Sequence, residues 1–296
     1  MTDDVAGGRK SLVALSRRTA LGAGLAAGLA AGTAVAASRK PRLVSLNPCL
    51  DGVLVEVADR DQIAALSHYA RDPQQSSIAA RAKSYPITYE SAEEVIALRP
   101  DVVLSAAHSS PATRAALKRL GVRAELFKVP NSWADNQADI RRIADAAGHP
   151  ERGEALIARV DRALAASAPP PGSPPLEALV FQPNGFAAGE GTLVDEMMKR
   201  AGFVNVASRY GLKKWGNVSL ERLLADPPQV LLAGQARPDA PTWAERMLSH
   251  PALASVSHRM TRATFPERLL YCGGPTLIDT AATLAAARRQ VLKART

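Results

Sequence analysis

The chain has 296 residues, with 37 Lys and Arg against 28 Asp and Glu and a formal charge of +9. Apolar residues make up 47% and charged residues 22%, which excludes a disordered chain, a collagen and a coiled coil, and the length suits about two lobes with a core each. Two cysteines exclude a disulfide scaffold and a four-Cys zinc site, and aromatics at 4% are scarce enough for each to be informative.

In chain order the first feature is an export signal. Arg9, Lys10, Arg17 and Arg18 precede a Gly- and Ala-rich stretch over 20–37, and Ala34-Val35-Ala36 supplies a small-x-small cleavage pattern. Ser16-Arg17-Arg18-Thr19-Ala20-Leu21 resembles the twin-arginine (Tat) motif, with Ala20 where that motif prefers Phe. Residues 1–37 are therefore read as a twin-arginine signal peptide cut after Ala36. The alternative is a single membrane anchor, which a stretch this poor in Leu and Ile would form only marginally. Cleavage removes four positive and two negative side chains and takes the charge from +9 to +7. The mature chain is expected in the periplasm.

From residue 42 short apolar runs alternate with helical periods. Strands are predicted at 42–46, 63–66, 102–105 and 123–127. Helices are predicted at 51–58, from the Ser91/Glu94 capping-box spacing to Arg99-Pro100, and from Ser110-Pro111 to Gly121. Residues 132–147 and 151–167 are both helical in period, interrupted only at Gly148-His149-Pro150, and a proline-rich break covers 169–175. Alternation then resumes, with strands at 178–182 and 230–233 and helices at 192–201 and 275–293. The pattern predicts an α/β fold of two Rossmann-like lobes with mostly parallel sheets. The lobes cover 41–131 and 176–296, and the helical segment 132–168 joins them.

An internal repeat supports two lobes. Ser91-Ala-Glu93-Glu-Val-Ile-Ala97-Leu-Arg-Pro100-Asp-Val102-Val-Leu104 aligns without gaps on Ser219-Leu-Glu221-Arg-Leu-Leu-Ala225-Asp-Pro-Pro228-Gln-Val230-Leu-Leu232. The offset is 128 residues throughout, with six identities in fourteen positions. A capped helix, a proline stop and a buried strand recur in the same order, as a duplication would leave them.

These segments carry a resemblance. Residues 42–47 and 93–104, with Val218-Ser219-Leu220-Glu221 and His250-Pro251-Ala252-Leu253, resemble the periplasmic substrate-binding proteins of ABC importers for cobalamin and iron–siderophore chelates. The likeness covers roughly 42–293. It implies two lobes bridged by one rigid helix, a ligand in the cleft between them, and delivery as a monomer to a membrane permease with ATPase subunits. It further implies that one glutamate per lobe, Glu93 and Glu221 by motif position, docks on permease arginines. A two-fold permease offers one basic pocket twice, which suits one carboxylate per lobe.

Open α/β sheets bind ligands at the carboxyl ends of their strands. The loops there hold Asn47, Tyr69, Arg71 and His108 in the first lobe and Phe186, Trp215, Arg268 and Tyr271 in the second. Tyr69, Phe186 and Trp215 also fall where cobalamin-binding relatives place cleft aromatics. Four rings in such loops suit a flat macrocycle or an aryl chelate. Arg71 and Arg268, with Lys213 and Lys214, would make the cleft mouth basic and suit an anionic chelate. Relatives that bind cobalamin often carry an acid near the position of Arg268, so the chelate stays open. No resident cofactor is expected.

Cys49 and Cys272 sit on cleft loops, one per lobe, and three states are open to them. Buried free thiols are favoured; a disulfide would bridge the lobes, and a soft metal would take both thiolates with His68 or His108. An enzyme would use Cys49 and His68, but no third orienting group, nucleophile elbow, phosphate loop or dinucleotide fingerprint accompanies them. Dispersed basic residues, with no run beyond Lys213-Lys214 or Arg288-Arg289, speak against nucleic acid.

Overall fold

Short apolar strands build two parallel sheets, each covered on both faces. The structure, a computed structural model, describes residues 39–107, 109–234 and 246–294; the predicted signal at 1–37 and the candidate His108 lie outside them. In the first sheet β1 (Leu43–Ser45), β2 (Ile63–Ser67), β3 (Ile87–Thr88), β4 (Val102–Ala106) and β5 (Ala124–Phe127) take the order β3-β2-β1-β4-β5. In the second, β6 (Leu176–Phe181), β8 (Phe203–Asn205), β10 (Val230–Ala233) and β11 (Thr261–Thr264) take the order β11-β10-β6-β8. Every pairing in these sheets is parallel. A separate antiparallel ribbon pairs β7 (Phe186–Ala188) with β9 (Trp215–Asn217).

The 128-residue repeat is a repeat of structure. Helix α3 (Ala92–Ala97) leads into β4 and α8 (Leu220–Ala225) into β10, and each of these strands lies beside its own lobe's first strand, β1 or β6. The caps agree in backbone angle: Ser91 at φ −70°, ψ 148° and Ser219 at φ −70°, ψ 152°. Each hydroxyl accepts the N–H three residues on, from Glu94 at 3.2 Å and from Arg222 at 3.4 Å. That hydrogen bond satisfies one of the four free donors of a helix start.

Between the lobes lie α5 (Trp133–Ala147) and α6 (Pro150–Ser167). Ser132 caps α5, and Gly148 closes it at φ 77°, a left-handed conformation that glycine adopts without steric cost. Helix α6 starts one residue before its predicted start, on Pro150, whose missing amide hydrogen is no loss at a first helical position. It packs against α1 (Pro48–Val57), α5, α7 (Leu193–Arg200) and α10 (Thr276–Lys293). The indole N–H of Trp133 donates to Asp161 at 2.7 Å and ties the two helices together.

Alternation along the strands sorts side chains into three cores. Val44 and Val103 pack outward with Val95 of α3 and Leu117 of α4 (Pro111–Arg119). Leu179, Phe181 and Leu231 pack outward with Leu223 of α8 and Leu253 of α9 (Ala252–Ser255). Leu43, Leu104, Val180 and Leu232 face inward, into one core shared by both lobes and filled by α1, α5, α6, α7 and α10. Full burial of each such side chain is worth roughly 1.5–3 kcal/mol, so parting the lobes would expose many of them at once. No helix among the described residues is long and apolar enough to cross a membrane.

Sequence pattern does not reveal β3, β8 and β11, and it places Phe186 and Trp215 in loops where the structure has strands. The three strands are two to four residues long, and β11 (Thr-Arg-Ala-Thr) carries no apolar run. Their neighbours in the sheet, not their own composition, make them strands.

Candidate functional site

Because β1, β2 and β4 are parallel, their carboxyl ends share one edge, as do those of β6, β10 and β11. A covalent bond joins the two edges. Cys49, in the first turn of α1, forms a disulfide with Cys272, in the bend before α10, with the Cα atoms 4.8 Å apart. The expectation of two buried free thiols is thereby corrected. The pairing also removes both sulfurs as metal ligands and Cys49 as a thiol nucleophile for His68. Among the described residues no group of three or more His, Cys, Asp or Glu is arranged to hold a metal.

On the first-lobe edge, β2 runs into a 3-10 turn, His68–Arg71. The His68 ring lies 3.8 Å from that of Tyr69 and 5.1 Å from that of Tyr89, stacked on the latter. Tyr69 is 36% exposed and Tyr89 68%, so this cluster opens to solvent. Beneath it His68 Nδ1 faces Glu90 Oε1 at 3.9 Å, both atoms buried and otherwise without a hydrogen-bond partner. Glu90 sits at φ 70°, a costly backbone for a residue with a Cβ. Burial raises its carboxyl pKa, against the pull of His68. Tyr89 and Glu90 are absent from the sequence-predicted site, since they follow β3, itself without a sequence signal. Arg71 turns toward the chain around α2 (Ala79–Ala82), donating to the Tyr85 carbonyl at 2.6 Å. Asn47 caps α1 by accepting the Cys49 N–H at 2.9 Å. With Cys49, Asn136 and Gly273 it lines a recess beside the disulfide.

On the second-lobe edge the β7–β9 ribbon brings Phe186 and Trp215 together. Their rings stack 5.6 Å apart at an interplanar angle of 7°, an offset geometry favoured by aromatic quadrupoles. The Tyr271 ring lies 6.2 Å from that of Phe186, tilted by 36°, and its hydroxyl donates to Glu267 at 3.2 Å. Burial first, and then the Glu267 charge, push the Tyr271 phenol well above its usual pKa, so it stays neutral. Trp215 is 38% exposed, so the stack reaches solvent. Arg268 is half-buried in the turn ahead of Tyr271, Lys213 is exposed, and Lys214 donates to Asn131 at 3.0 Å.

Behind the first-lobe rim the buried face of α1 carries an acid. Asp51 is fully buried and accepts the Ser67 N–H at 3.2 Å and hydroxyl at 2.6 Å. Desolvation outweighs these bonds and raises its pKa from 3.8 to about 7. Between about pH 4 and 7 the native chain therefore keeps a proton that the unfolded chain has released, and stability falls as pH rises through that window. Asp51→Asn mimics the protonated acid. It is expected to remove this fall, on the order of a few kcal/mol, when chemical denaturation is followed from pH 4 to 8. A variant with the parent's slope would contradict the assignment.

Glu93 and Glu221 are exposed on the first turns of α3 and α8. Bonds from its own backbone N–H and from the Ser219 hydroxyl hold the Glu221 carboxyl below its usual pKa.

Comparison with known proteins agrees with this architecture. The family model for periplasmic binding proteins matches residues 43–257. Among solved structures, the apo periplasmic heme-binding protein RhuT from Roseiflexus sp. RS-1 is 28% identical with a TM-score of 0.66, over 84% of this chain and 99% of that one. A periplasmic heme-binding protein from Pseudomonas aeruginosa is 25% identical at a TM-score of 0.65, over 84% and 92%. The vitamin B12 binding protein BtuF of Vibrio cholerae shares the fold at 17% identity and a TM-score of 0.63, over 86% and 98%. No curated protein sequence is a significant match. Two parallel sheets in matched strand order, one shared core and a family match over most of both lobes agree: the chain belongs to the periplasmic binding protein family.

Proposed function

We propose that this chain is the solute-binding component of an ABC importer and that its cleft takes a planar metal chelate. Heme stands ahead of the corrinoid or ferric siderophore that the sequence resemblance names. The observation that carries the reading is the aromatic cluster on each carboxyl edge: His68, Tyr69 and Tyr89 on one, Phe186, Trp215 and Tyr271 on the other. A macrocycle offers two flat faces to such rings. Heme is favoured by the likeness to two heme-binding proteins at 28% and 25% identity. It is favoured also by chemistry, since Tyr69 and His68 offer a phenol and an imidazole, both donors that heme iron accepts. Arg268 and Lys213 suit its carboxylates.

Titration of the purified chain with hemin and, separately, with cyanocobalamin tests the reading. A saturable complex with one hemin and a shifted Soret band is expected, with the band altered in Tyr69→Phe. Saturable cobalamin binding with no hemin complex would overturn the choice of heme.

Delivery to the permease follows through Glu93 and Glu221, one per lobe. Arrival in the periplasm follows from the twin-arginine signal at 1–37. Changing Arg17 and Arg18 to Lys is expected to hold the precursor in the cytoplasm, as judged by fractionation. Normal periplasmic delivery of that variant would refute the route.

A further inference from the structure

The bend at 271–274 is tied at several points to the first lobe and to α5 between the lobes. Cys272 is bonded to Cys49 across 223 residues of sequence. Two residues on, the Gly274 N–H donates to Asn136 Oδ1 of α5 at 2.6 Å. A Cβ on Gly273 would run into the Asn136 side chain, and Gly274 holds φ 62°, so this close path requires glycine at both positions. Beyond the bend, the Thr276 and Ser77 hydroxyls meet at 2.8 Å. Pro275 lies against Gly52 of α1, 3.6 Å from where a Cβ would stand. The residue just before Cys272 is Tyr271, one of the three rings on the second-lobe edge.

We propose that the Cys49–Cys272 disulfide, with the Asn136–Gly274 hydrogen bond, is a positioning clamp that fixes the Tyr271 wall of the cleft against the first lobe and so sets how tightly a planar chelate is held. The inference rests on the cleft being the ligand site. The shared core already keeps the lobes together, and the disulfide acts on the wall itself. The Tyr271 ring is attached one residue from a cross-link and three from a buried backbone hydrogen bond. A wall ordered before binding need not be ordered by the ligand, and the difference falls mainly on dissociation. Cys49, Cys272 and Asn136 are positioning residues that act through Tyr271.

The test compares the oxidised parent chain, the Cys49→Ser/Cys272→Ser double variant, and the parent reduced with excess dithiothreitol. In the last, the dithiol supplies two electrons and two protons, the protein disulfide becomes two thiols, and the reagent closes to its cyclic disulfide. Hydrogen exchange without ligand is read first. Amides at 271–274 are expected to exchange at least tenfold faster in the variant and the reduced parent, while α5 and α6 keep the parent's protection. Hemin dissociation, followed by transfer to an apo-globin acceptor, should then be about two- to tenfold faster, as the loss of one ordered wall implies. Reoxidation should restore the parent's rate in the reduced protein and leave the serine variant unchanged. Unchanged exchange at the bend overturns the clamp, and so does faster exchange with an unchanged hemin dissociation rate. If the oxidised parent bound no hemin, the heme reading would fall, and exchange at the bend would still decide whether the disulfide orders the wall. Should the double variant fail to fold, the reduced parent decides between the same outcomes.

Discussion

The Glu93→Ala/Glu221→Ala variant is expected to bind its ligand as tightly as the parent chain and to lose most of its transport. Both carboxylates stand on exposed first turns, at matched places in two helices whose caps agree within a few degrees. Neither side chain belongs to the aromatic clusters. A hydrogen bond between charged partners is worth about 1.5–3 kcal/mol, so each lost pair should cost roughly ten- to 150-fold in docking affinity. Single substitutions should cost less than the double, since the other lobe stays docked. Residual transport should also become less sensitive to salt, because a screened attraction at the rim has been removed. On stability the substitutions should cost only about 0.3–1 kcal/mol each, the value of an acid near a helix N-terminus. Ligand-stimulated ATP hydrolysis by the reconstituted importer, beside a titration of ligand binding, measures both quantities. Loss of ligand with normal transport per bound ligand would move these carboxylates into the cleft.

Trp215→Ala is expected to weaken chelate binding by about five- to 150-fold. Stacking of a flat ring on an aromatic side chain is worth roughly 1–3 kcal/mol, with nucleobase stacking as the closest guide. Trp215 already stacks on Phe186 through the β7–β9 ribbon, so its ring is held in orientation before the ligand arrives. Its removal takes away one stacking face and bares Phe186. Trp215→Phe should retain most of the affinity, because the ribbon still presents a ring. Isothermal titration with hemin separates the two variants, and an unchanged affinity in Trp215→Ala would leave the indole a packing residue.

The lobes are legible in the sequence because local chemistry repeats. Ser91 and Ser219 each start a short helix, a proline follows, and an apolar strand completes the unit, all within fourteen residues. Gly148 announces the end of α5 for the same local reason. What stays hidden depends on distance along the chain. The Cys49–Cys272 bond spans 223 residues, and two cysteines in a sequence carry no sign of whether their lobes meet. The β7–β9 ribbon is a pairing across a helix and a strand, so Phe186 and Trp215 look in the sequence like unrelated loop residues. Arg71 looks like a cleft cation because its position suits one. Its guanidinium instead reaches backbone carbonyls near α2, which no periodicity signals. Tyr89 and Glu90 are hidden behind a two-residue strand. In each case the role comes from a contact with a residue distant along the chain, which local pattern does not signal.

If the two aromatic clusters form one cleft for a planar metal chelate, the chain should carry that chelate as isolated. The absorbance spectrum and native mass of the chain purified from its own periplasm, without added ligand, read this out. A Soret band and one bound iron porphyrin are expected, both lost on denaturation and diminished in Trp215→Ala. A chain that is colourless as isolated and forms no saturable complex with hemin, cobalamin or a ferric siderophore would contradict the cleft.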